Sequence, residues 1–160
     1  MIFITLGSQK FQFNRLLKEI DRLIDEEIIK EEVFAQIGYS DYLPRNYEYK
    51  QFMDRDKFND YIDQSDLVIT HGGTGAIMGA IKEGKKVIAI PRLSKYGEHV
   101  DDHQLQIINE FEQMNLIIPC LNIEELGELY ERRDQYILEE YHSHKENILN
   151  SIEGYLDTIK

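Results

Sequence analysis

At 160 residues, 42% of them hydrophobic and 30% charged, the chain has the length of one ordinary domain and enough apolar matter for a core, which excludes a disordered polymer. A formal net charge of -12 repels nucleic acid and anionic lipid and excludes both as primary partners, so a site for an anionic ligand has to be a local pocket set against the field of the whole. The single cysteine, Cys120, excludes an internal disulfide and a cysteine-built zinc site, and its place after an apolar run reads as a buried, inert thiol.

The N-terminus lacks a basic stretch ahead of a long apolar core, so no signal peptide is expected. No apolar run approaches the ~20 residues that cross a bilayer. The expectation is a cytoplasmic chain that another component must bring to any membrane substrate.

Met1 to Leu6, "MIFITL", is a short apolar run stopped by Gly7 and reads as a buried strand. Leu16, Leu17, Ile20, Leu23 and Ile24 recur at helical spacing and predict a helix over about Asn14 to Asp25. Val33 to Ile37 is a second strand ended by Gly38, "YSDYLPRN" is turn-like, and Tyr47 to Met53 is a candidate third strand. Asp56 is expected to cap a short helix carrying Phe58, Tyr61 and Ile62. Leu67 to Thr70 is the next strand and Thr74 to Lys82 the next helix, ended by Gly84. Val87 to Ile90 is a strand closed by Pro91, and Arg92 to Val100 is polar and irregular. Asp101 or Asp102 can cap a helix bearing Leu105, Ile108 and Phe111, and Leu116 to Ile118 is a last short strand. Residues 123–160 are helical in pattern, with Ile148, Leu149, Ile152, Tyr155, Leu156 and Ile159 on one apolar stripe. Alternating strands and helices with no linker or repeat predict one α/β domain over residues 1–160, a doubly wound, Rossmann-like parallel sheet with helices on both faces. Ligands of such sheets sit beyond the carboxyl ends of the strands.

Three stretches fall at that edge. The first is "THGGTG", where a strand passes through glycines into a helix. Free backbone N–H groups, close approach at glycine and the positive end of the helix dipole together suit a phosphate or diphosphate. Gly72, Gly73, Thr74 and Gly75 form the turn, and the Thr74 hydroxyl and the His71 ring offer further donors. The same glycines equally suit a purely structural tight turn, with His71 satisfying a backbone carbonyl. Gly79, mid-helix, reads as a place of close helix–strand packing, since glycine there costs about 1 kcal/mol relative to alanine. The second stretch, "KYGEHVDDHQ", places Asp102, His103 and Gln104 at a helix start, where carboxylate and amide groups can bond sugar hydroxyls; a solvated polar loop is the plain alternative. His99 and His103 have the spacing of metal ligands on a helix, but Gly97 and the capping aspartates argue against a metal. The third is Gly7, Ser8 and Gln9 at the tip of the first strand, a possible ligand contact that reads from spacing alone as an ordinary turn. "GGTGAIMG" lacks the G-x-G-x-x-G frame and the next strand ends without a ribose-binding acid, which disfavours a nucleotide-dependent oxidoreductase; no G-x-x-x-x-G-K-[ST] is present.

Taken in order, "IFITLGSQKFQFNRLL", "SDLVITHGGTGAIMGAIKEGKKVIAIPR" and "DDHQ" resemble the C-terminal, donor-binding half of family 28 glycosyltransferases, of the GT-B fold, over about residues 1 to 120. The likeness extends to the small subunits of two-component transferases, both that of eukaryotic N-glycan assembly and those of bacterial capsule and exopolysaccharide synthesis. It implies a UDP-sugar as donor substrate and no cofactor or bound metal. It implies that His71, Gly72, Gly73, Thr74 and Gly75 hold the diphosphate, with His71 catalytic. Asp102, His103 and Gln104 would face the donor sugar, and Gly7 and Ser8 would line the cleft. The chain departs from the pattern at Gly79, where related enzymes often carry an acid that can bind ribose. The resemblance further implies inversion at the anomeric carbon and a separate membrane-associated subunit that binds a lipid-linked acceptor. That partner would hold the chain at the inner face of the membrane, and the C-terminal stripe would either dock on it or pack on its own domain. A non-catalytic accessory or scaffold subunit is the alternative that Gly79 leaves open.

Overall fold

Apolar runs without polar alternation require strands covered on both faces. The computed structural model describes residues 1–141, and among these it contains six strands: β1 (Ile2–Thr5), β2 (Val33–Gln36), β3 (Glu48–Lys50), β4 (Leu67–His71), β5 (Lys86–Ile90) and β6 (Ile118–Pro119). They form one sheet in the order β3-β2-β1-β4-β5-β6, with every neighbouring pair parallel. The α-helices are α1 (Asn14–Asp25), α2 (Arg55–Gln64), α3 (Thr74–Ile81), α4 (His103–Gln113) and α5 (Leu126–Glu131).

Side chains alternate across each strand and build two cores. Ile2, Ile4, Ile69 and Ile88 pack against Leu16, Leu17, Ile20 and Leu23 of α1 and Leu126 and Tyr130 of α5. Phe3, Val68, Val87 and Ala89 pack on the other face against Ile62 of α2, Ile77 and Ile81 of α3, and Ile107, Ile108 and Phe111 of α4. The chain leaves β1 toward one face and β4 toward the other. The order therefore reverses between these two neighbours, and a crevice opens beyond their carboxyl ends. No helix of the described residues is long and apolar enough to cross a membrane.

β2 and β3 are joined by a loop rather than a helix. Buried Asp21 of α1 holds that loop, accepting from the backbone N–H groups of Arg45 (2.9 Å) and Asn46 (3.0 Å) and from the Tyr42 hydroxyl. Cys120 is fully buried, and burial pushes its thiol up to about 12.

The structure corrects three local expectations. The cap of α2 is Asp54, whose Oδ1 accepts from Lys57 N at 2.8 Å, whereas Asp56 lies inside the first turn. The last strand, Ile118–Pro119, begins two residues later than Leu116 to Ile118 suggests, because Asn115 takes a left-handed conformation and Leu116 N still bonds back to Phe111 O. Residues 123–141 are not continuously helical. A 3-10 turn, Ile123–Glu125, leads into α5, a second one, Arg133–Gln135, follows, and the backbone is extended at Tyr136. The apolar stripe from Ile148 to Ile159 lies outside the described residues.

Candidate functional site

The carboxyl ends of β1, β2 and β4 carry a buried polar layer. Thr70 Oγ1 donates to Thr5 O (3.0 Å), and Thr5 Oγ1 donates to Gln36 Oε1 (2.9 Å). Gln36 Nε2 donates in turn to the carbonyls of Gly7 (3.0 Å) and Gln51 (2.9 Å). The turn after β1 is thereby fixed from β2. Gly7 has φ +71°, and a Cβ on it would come 2.7 Å from His71 Nε2, so backbone and space both exclude a side chain there.

His71 ends β4 and is 4% exposed. Its surroundings determine its tautomer. Gln104, at the start of α4 and 2% exposed, uses Oε1 to accept from Gly72 N (2.9 Å) and Arg92 N (3.0 Å). The amide nitrogen is thereby the end that faces His71 Nδ1, at 3.1 Å, and it can only donate. Nδ1 is the acceptor, and the ring proton sits on Nε2, which faces the Gly7 turn. Burial, reinforced by the positive charge of Arg92, pushes the His71 pKa down to about 3, so the ring is a neutral N–H donor at physiological pH. The paired glycines make room for this arrangement. A Cβ on Gly73 would overlap His71 Cε1, and one on Gly72 would lie 2.8 Å from Gln104 Cβ.

Arg92 is 1% exposed. Its guanidinium donates to the carbonyls of Leu6 (2.6 Å) and Phe11 (3.0 Å), bracing the β1–α1 loop from the end of β5. Buried Glu98 accepts from Arg15 Nε (3.0 Å) and Leu93 N (3.0 Å), which draws the two loops together. Burial lowers the Arg92 pKa to about 10, still well above neutrality.

The crevice at the switch point is a cleft of about 680 Å³, within the range of small-molecule and cofactor sites. Thr5, Gly7, Ser8, Gln9 and Gln36 form one side, His71, Gly73, Thr74, Gly75, Ala76 and Gly79 a second, and Phe52, Met53, Arg55, Phe58 and Asn59 a third. No side chain caps α3, and buried Thr74 Oγ1 has no partner within the protein. His71, Gly73, Thr74 and Gly75 thus line one open cleft, and the uncapped start of α3, the Thr74 hydroxyl and the His71 ring together make a donor set suited to an anion. A Cβ on Gly75 or Gly79 would meet nothing within 4 Å. Gly79 is therefore not a packing contact, as its place in mid-helix suggests, but part of a bare helix face turned to the cleft.

The model of the glycosyltransferase family 28 C-terminal domain matches residues 1–159. The chain belongs to this family. Over 76 residues the family 28 domain is 34% identical to the UDP-N-acetylglucosamine transferase subunit ALG13 of Candida albicans, covering 48% of this chain and 24% of that protein. Over 70 residues it is 37% identical to the subunit of the same name from Kluyveromyces lactis, covering 43% of this chain and 34% of that one. It thus matches about a third or less of the length of these relatives. Its fold superposes on the solution structure of ALG13 with a TM-score of 0.61 at 17% identity, covering 94% of both chains. It superposes on crystalline MurG of Acinetobacter baumannii with a TM-score of 0.58 at 18% identity, covering 83% of this chain and 40% of that one. Both likenesses show the α/β fold found in GT-B glycosyltransferases.

Within this family 28 domain the residues singled out from sequence divide into three groups. Gly7, Ser8, His71, Gly73, Thr74 and Gly75 meet at the cleft. Gly72 and Gln104 lie behind it, engaged with each other and with His71. Gln104 is thus placed as the group that orients His71 rather than one open to a ligand. Asp102 accepts from the backbone and hydroxyl of Ser94 (2.9 and 3.0 Å), while Asp101 Oδ1 takes His103 N at 3.1 Å. His99 and His103 both face Asp101. Sequence reasoning missed Gln36, Arg55, Asn59 and Arg92. An arginine after a strand-ending proline and polar residues next to a helix start carry no signal of their own.

Proposed function

We propose that this domain is the donor-binding, catalytic part of a UDP-sugar-dependent hexosyl- or hexosaminyltransferase. It acts with a separate membrane-associated subunit on a lipid-linked acceptor, in the cytoplasm at the inner face of the membrane, during capsule or exopolysaccharide repeat-unit assembly. The observation that carries this reading is the uncapped start of α3 opening, with the neutral Nε2–H of His71, into the cleft at the switch point. The names of the two curated relatives favour a transferred N-acetylhexosamine.

In the reaction an acceptor hydroxyl oxygen attacks the anomeric carbon, the bond from that carbon to the diphosphate oxygen breaks, and UDP departs with the electron pair. The N–H groups of α3, Thr74 Oγ1 and His71 Nε2 hydrogen-bond the charge that grows on the departing diphosphate. Among the described residues no carboxylate lines the cleft, so the base that takes the acceptor proton is assigned to the partner's side. Transfer from radiolabelled UDP-glucose, UDP-galactose, UDP-GlcNAc and UDP-glucuronate to membranes carrying the partner tests the reading. His71→Ala and Gln104→Ala should each lower transfer at least about tenfold with the protein still folded; wild-type rates in both would remove their roles. Absence of UDP binding, with and without partner, would instead support the scaffold reading that Gly79 leaves open.

A further inference from the structure

The mouth of α3 offers a diphosphate hydrogen bonds and a partial charge, and His71 is neutral, so neither supplies a formal positive charge in a chain of net charge -12. The facing wall does. Arg55 and Asn59, one turn apart at the start of α2, line the same cleft as His71, Thr74 and Gly75. Among the described residues the exposed Arg55 side chain has no hydrogen-bond or ion-pair partner and is the one charged side chain lining the cleft. Its position is locally unfavourable, since the first residue of a helix sits at the positive end of the dipole, where Asp54 already provides the cap. Gly75 and Gly79, which line the same cleft, leave α3 bare there and so leave room for a ligand beside Arg55.

Resting on the nucleotide reading above, we infer that Arg55 is the cation that pairs with the diphosphate, closing from α2 onto an anion seated at the start of α3. A guanidinium suits this role because it can bond two phosphate oxygens at once.

The test is NMR titration of the full chain with uridine, UMP, UDP and inorganic pyrophosphate, for wild type, Arg55→Ala and Arg55→Lys. Arg55→Ala should weaken UDP by at least about tenfold and UMP by less, leave uridine unchanged, and leave the melting temperature unchanged, because the exposed side chain has no hydrogen-bond or ion-pair partner among the described residues. Arg55→Lys should recover part of the loss. If pyrophosphate shows the same dependence on Arg55, the anion alone is what the residue reads. UDP binding by Arg55→Ala equal to wild type, or equal losses for UDP and uridine, would overturn the inference while leaving the nucleotide site standing. A wild-type chain that binds none of the four ligands, with and without the partner, would end the nucleotide reading and this inference with it.

Discussion

His71 enters the fold as the last residue of a buried strand, and that position gives its two ring nitrogens different tasks. Nδ1 is spent on Gln104 and Nε2 is left for the cleft. Because its pKa is pushed from 6.5 to about 3, the unfolded chain binds one proton more than the folded chain between those values. Stability therefore rises with pH across this window. It is fully present above about pH 6.5 and is lost as pH falls toward 3, by up to ~1.4 kcal/mol per pH unit. Urea unfolding from pH 7 to 5, where carboxylates contribute little, should show this slope in wild type and not in His71→Asn; equal slopes would mean that the ring titrates in the folded state. Gln104→Glu should raise the His71 pKa measurably by NMR, because a carboxylate oxygen facing Nδ1 accepts a proton that the amide repels. The motif made His71 legible in the sequence, but not its neutrality. That comes from burial, reinforced by the charge of Arg92, while Gln104 fixes the tautomer, and the pattern "DDHQ" does not say which of its polar residues turns inward.

Elements were more legible than their ends. β1, β4 and β5 lie between two layers, so their runs are apolar without break, and α1 shows a full helical stripe because it covers one face of the sheet. Gly84, with φ +71°, ends α3 where its residue type says it should. What failed were choices between near neighbours. "DRD" offers two caps for α2, and the extended backbone at Asp54, φ -69° and ψ 167°, selects the first. Asp54→Ala should cost about 1 kcal/mol in urea unfolding, and Asp56→Ala only a few tenths, through the helix dipole alone. The reverse order would restore Asp56 as the cap. Likewise the pattern of residues 123–141 holds the polar and apolar spacing of a helix, yet only α5 buries a face, with Leu126 and Tyr130 in the core. Tyr136 and Ile137 lie exposed beyond it.

At the scale of the molecule the glycines sort the domain into what must close and what must stay open. Gly7, Gly72 and Gly73 are filled against by His71 and Gln104, while Gly75 and Gly79 face empty space on the cleft. Gly79 lies inside α3, where glycine is less favourable than alanine by about 1 kcal/mol, and no packing contact in the protein offsets that cost. Gly79→Ala should therefore stabilise the fold by about 0.5–1 kcal/mol. Gly73→Ala should destabilise it, because its methyl group overlaps the His71 ring. Gly79→Leu carries the argument to function. The longer side chain extends from the same helix face into the cleft, so the variant should unfold no more easily than wild type and yet lose UDP binding in titration. A Gly79→Leu protein that binds UDP like wild type would place the nucleotide elsewhere on the sheet edge, away from the bare face of α3. One that unfolds early would show instead that the glycine serves packing after all.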